Sequence, residues 1–119
     1  MNRRALLIAT AVGAAAQLAM VLVGHVVPVV REHGFAIGGM LISAIAGALY
    51  VRLARSGWGA GLAGGAIAGG VCALIGIAPS VALGDTPADI LLFGTLGSTV
   101  AGVVGGALGK LTIARSAAT

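Results

Sequence analysis

Residues 59–83 read GAGLAGGAIAGGVCALIGIAPSVAL, an unbroken run without a single acid or base. At 1.5 Å per residue, a helix of this length exceeds the roughly 30 Å thickness of a bilayer core. Nothing in the run alternates polar with apolar at the period of a water-soluble helix or strand, so it reads as a span in hydrocarbon. It has a second regularity. Gly57, Gly61, Gly65, Gly69 and Ala73 recur at every fourth position. Residues so spaced stack on one side of a helix and leave a groove without side chains.

Three more apolar segments accompany it, at residues 5–30, 35–54 and 90–111. The joints REHG (31–34), RSGW (55–58) and GDTPAD (84–89) are short enough to force consecutive helices side by side and antiparallel. The chain therefore reads as an all-α membrane protein: four antiparallel glycine-rich transmembrane helices in an up-down bundle, one domain over residues 1–119. Composition agrees. Of 119 residues, 59% are hydrophobic and only 8% charged, and the mean hydropathy is +1.11, more apolar surface than a soluble domain of this size can bury. The 21 glycines would weaken an aqueous core but suit helices that meet backbone to backbone in lipid.

The start, MNRR followed by ALLIATAV and GAAAQ, is similar to a secretory signal with a cleavage site after Ala16. The apolar run continues through LAMVLVGHVVPVV, which predicts a retained span rather than a cleaved leader. Arg3, Arg4, Arg52, Arg55, Lys110 and Arg115 fall on one side of a four-span reading, and Arg31, Glu32, Asp85 and Asp89 on the other. The positive-inside bias then predicts a bacterial inner-membrane protein with both termini cytoplasmic. These basic residues mark helix ends and form no patch with interleaved aromatics, so no nucleic-acid partner is expected. The fourth span has a legible start: Thr86, Pro87 and Asp89 fit an N-cap, a proline at the first helical position and an acid three residues after the cap. Pro28 and Pro79, near the same end of the odd-numbered segments, suggest that hairpins 5–54 and 59–111 are a degenerate duplication about an axis along the membrane normal.

The small-residue spacing extends to the other helices. Gly94, Ser98, Gly102 and Gly106 repeat it in the fourth segment, and Gly39, Ser43 and Gly47 in the second. Lipid tails are as apolar as leucine, so hydrophobicity alone does not hold spans together, whereas close van der Waals contact along a bare groove does. These grooves serve packing within one chain, or also seat a second copy; a homo-oligomer is expected.

No Asp, Glu, Lys or Arg falls in the middle of any span. Ion-coupled pumping, which needs buried charge, loses support. The polar residues left for a pathway are Gln17, His25, Thr95, Ser98 and Thr99. An unpaired amide at Gln17 is costly in lipid, so it needs a partner across an interface or a small wet cavity. His25 reads either as a titratable gate or as a neutral imidazole bonded at the membrane edge. The hydroxyls of Thr95, Ser98 and Thr99 either bond back to their own helix or line a polar path. Cys72, the only cysteine, lies inside the third span, which excludes an intrachain disulfide. No nucleotide loop, catalytic constellation or metal spacing is present in the sequence, so neither an enzyme nor a cofactor is expected.

In size, four spans in 119 residues resembles the small multidrug resistance transporters and the small dual-topology fluoride channels. The resemblance stops there. The first family carries a membrane-embedded glutamate in its first helix, where this chain has Gln17, and the second often inserts in both orientations, whereas the charge bias here points one way. The functional expectation is an oligomeric channel or transporter-like pathway for a neutral or lipophilic solute. Two alternatives compete with it: an accessory or scaffold subunit docking on a larger membrane complex through glycine-striped faces, and a phage-type lysis pore.

Overall fold

The computed structural model describes residues 2–55 and 57–118, with side chains at all of these except 32, 33 and 114–118. The side chains of Glu32 and Arg115, which enter the charge argument, therefore lie outside the described set. The chain forms α1 (Arg3–Val26), α2 (Phe35–Ala54), α3 (Trp58–Ala82) and α4 (Ile90–Ala118), with a π-helical turn at Val30–Gly34 between the first two. Each of the four is long and apolar enough to cross a membrane, in α4 over Ile90–Ile113. This is a small integral membrane protein with an all-α, four-helix architecture.

Local chemistry sets the ends. The Asn2 side chain accepts a hydrogen bond from Ala5 N at 3.0 Å and caps α1. The first span stops at Val26, short of the expected residue 30, because Pro28 pushes its predecessor out of the helical region: Val27 is extended at φ −117° and ψ 99°. Pro28 then opens the next helical stretch, where its missing N–H leaves no bond unmade, and the expected REHG loop is instead the π turn. The α3 terminus is a Schellman motif. Gly84, at φ 78°, donates to Val81 O, and Asp85 donates to Ser80 O, each at 3.0 Å. The expected cap on α4 differs too: the Thr86 hydroxyl pairs with Ser80 at 2.6 Å, and α4 begins through tight bonds from Ile90 to Pro87 and Leu91 to Ala88.

Packing contacts establish direction. Gly102 and Gly106 of α4 meet Gly65 and Gly61 of α3 in descending order, so these helices are antiparallel, whereas Gly105 and Gly109 meet Ala44 and Ala48 of α2 in ascending order, so α2 and α4 run parallel. Gly13 and Gly76 place α1 parallel to α3, against Cys72 and Gln17 respectively. Among the described residues no Cα of α1 lies within 8 Å of one of α4. The order around the bundle is thus α1, α2, α4, α3, with α2 and α3 in contact across the middle. This arrangement removes the suggested duplication axis, which would make the α1–α4 relation equivalent to the intimate α2–α3 one.

The bundle has two unlike ends. At the end carrying both termini, Ala5, Ala9, Tyr50, Val51 and Ala68 are closely packed, and Lys110 Nζ lies 6.0 Å from the Trp58 ring centroid. At the other end, marked by Asp85, the helices enclose open space.

Candidate functional site

The striped glycines seal the middle of the bundle. At Gly47, Gly65 and Gly102 an added Cβ would collide with backbone of a neighbouring helix, and one at Gly69 would stand 2.8 Å from Gly102 Cα. Three helices therefore meet there with no side chain between them. Ser98 takes part through its carbonyl oxygen, 2.8 Å from the same added Cβ at Gly69. The stripe does not continue evenly. A Cβ on Gly57, the N-cap of α3, would meet no described neighbour within 4 Å, Gly94 faces the side chain of Ile77, and Gly39 lies beside Gln17.

Directly beside this seal is a polar clasp. Gln17 Nε2 donates to Gly39 O at 3.0 Å and to Ser43 Oγ at 3.2 Å. Ser43 in turn donates to Gly69 O at 3.1 Å, and Cys72 Sγ donates to the same carbonyl at 3.3 Å. The mid-span amide thus finds partners on α2 and ties three helices together.

Towards the Asp85 end the helices part around a cavity of about 410 Å³. Gln17 and Ser98 line it, with apolar walls from Met20, Phe35, Met40, Ile77 and Phe93 and with Arg31 and Asp85 at the far end. Every residue that lines it falls between Gln17 and Met40 or between Ala73 and Ser98, so it reaches the glycine seal and does not extend into the terminal half. No protein family, no curated protein and no solved structure matches this chain. The functional reading rests on the site alone.

The five expected pathway residues separate. Gln17 and Ser98 share the cavity, on α1 and α4, whose backbones stay more than 8 Å apart at the Cα atoms. Thr99 donates to Thr95 O at 2.8 Å, bonding back to its own helix, and the Thr95 hydroxyl is buried without a partner among the described residues. His25 lies in the last turn of α1, where Nδ1 is 2.6 Å from Asp85 Oδ2. Arg31 completes that cluster, 3.5 Å from Asp85 Oδ1 while donating to Gly24 O and His25 O.

Sequence reasoning did not find this latch, because its members come from three elements and His25 and Asp85 are sixty positions apart. Its one local signal was the Gly84 C-cap, which turns Asp85 back over α1. Asp85 is 11% exposed and His25 45%, so the pair is only partly shielded from water. Asp85→Asn is expected to lower stability by about 1 kcal/mol and to loosen the 83–89 turn, read as faster amide exchange there.

Proposed function

We propose that this protein admits a neutral or lipophilic solute into the half-bundle cavity and so serves as a channel- or transporter-like pathway. The observation that carries this reading is the cavity itself, apolar-walled and polar-floored, which stops at the glycine seal. A concave, mostly apolar site with a few convergent polar groups is what small-molecule binding needs. The lack of charge at mid-span argues against ion coupling. Because the cavity ends at the glycine seal, one chain offers a vestibule, and a complete pathway needs parting of the seam or a second copy. The charge bias favours a bacterial inner membrane with both termini cytoplasmic. The closed seal also supports a second reading, an accessory subunit of a larger membrane complex that binds a molecule without passing it.

Thiol labelling in proteoliposomes tests the cavity. Cys72, fully buried beside the seal, should resist a small membrane-permeant maleimide, whereas Ile77→Cys should react at least ten times faster and be protected by a lipophilic solute. Equal rates at the two positions would remove the cavity. Accelerated uptake of glycerol or urea by the same liposomes supports a pathway; protection without uptake supports the accessory role.

A further inference from the structure

The floor of the cavity carries two hydrogen-bonding groups with no partner among the described residues. The orientation of the Gln17 amide is fixed by its neighbours: Gly39 O can only accept, so the nitrogen must face it, and the carbonyl oxygen points away. That oxygen receives no hydrogen bond from any described residue, although Gln17 as a whole is only 2% exposed. Gln17 lines the cavity, and with its nitrogen turned to Gly39 and Ser43 this oxygen is the amide atom left to face it. Gly39 lines the cavity beside it, and a Cβ there would stand 3.5 Å from that oxygen. Ser98 is likewise buried, lines the same cavity and makes no hydrogen bond with a described residue.

The chemistry of the missing partner follows from these two atoms. A carboxamide oxygen only accepts, so the ligand must bring a donor; a serine hydroxyl can give or take, so the ligand group can also accept. An alcohol hydroxyl does both at once. A charged head is disfavoured, since no mid-span residue would neutralise it. The rest of the ligand must be apolar, to lie against Met20, Phe35, Ile77 and Phe93. Met40 of α2 (46% exposed) and Phe93 of α4 (62% exposed) line the cavity without being enclosed by the bundle, so the cavity is open on the side these two helices form.

We infer that the cavity is a site for a lipophilic alcohol, which enters from the bilayer between α2 and α4 and places its hydroxyl between Gln17 Oε1 and Ser98 Oγ. This rests on the solute-binding reading above and adds the class of ligand. A buried site built around a hydroxyl discriminates against an analogue that lacks it, because its own polar groups are then left unpaired.

The test uses the full chain in lipid nanodiscs, with empty nanodiscs subtracted, and two radiolabelled probes of equal heavy-atom number, 1-decanol and methyl nonyl ether. The alcohol should bind about tenfold more tightly than the ether. Ser98→Ala should bring that ratio down to about threefold, and Gln17→Met to near one, with ether binding retained. If Gln17→Met fails to fold, Ser98→Ala alone decides, since Ser98 holds no partner whose loss would unfold the chain. Equal binding of both probes to wild type, or a ratio unmoved by Ser98→Ala, overturns the inference and leaves a floor satisfied by water, while the solute-binding reading survives. If neither probe binds, both fall.

Discussion

Gly102→Ala is expected to destabilise the bundle by about 3 kcal/mol or more, although it adds a single methyl group. The new Cβ would overlap the Gly65 carbonyl and stand 3.1 Å from Gly69 Cα, and both obstacles are backbone, which cannot swing aside as a side chain can. Relief requires α3 and α4 to separate along the seam, forfeiting the contacts that hold apolar rods together in lipid. Gly59→Ala supplies the control, since nothing lies within 4 Å of that position and its effect should stay within about 0.5 kcal/mol. Thermal unfolding in detergent reads both. Similar midpoints for the two variants would show that the close approach at Gly102 does not support the fold.

The second large effect is expected at Tyr50. Its ring occupies the place where a side chain on Gly64 would be, it is fully buried, and its hydroxyl accepts from Asn2 N at 3.3 Å. Tyr50→Ala leaves a void and should cost about 2–3 kcal/mol, less than in an aqueous core because in lipid the transfer term is small and packing dominates. Tyr50→Phe removes only the hydrogen bond and should cost about 1 kcal/mol. Gly64→Ala should cost about 1–3 kcal/mol in wild type and little in the Tyr50→Ala background, where the void accepts the methyl. Additive effects in that double-mutant cycle would contradict the ring-in-notch contact.

Why the span count could be read from the sequence while the helix order could not is a matter of physics. Hydrocarbon thickness acts on each segment separately, so the unbroken apolar length of 59–83 and its three companions decides the architecture without knowledge of neighbours. The boundary at Val27 was misjudged because Pro28 suits the end of one helix as well as the first position of the next. Gly47, Gly65 and Gly102 meet backbone to backbone, yet they are chemically alike, and nothing in their spacing says which groove meets which. Gln17 was recognised as needing a partner, but Gly39 O is a backbone group that leaves no trace in sequence. Tyr50 gave one unused signal, as a lone tyrosine facing a helix with a glycine outside the fourfold stripe. The cavity is a place where side chains are missing, and only the assembled helices reveal it.

The parallel contact of α2 with α4 sets the helix order on which both the glycine seal and the adjoining cavity depend. At Gly109 an added Cβ would lie 3.4 Å from the Ala48 Cβ, close to the separation in a disulfide. In a Cys72→Ser chain carrying Ala48→Cys and Gly109→Cys, mild oxidation in native membranes should give a crosslinked species of monomer size. A chain that stays uncrosslinked, or that links only to a second copy, would mean that α2 and α4 are not neighbours, and the sealed half with its adjoining cavity would not exist.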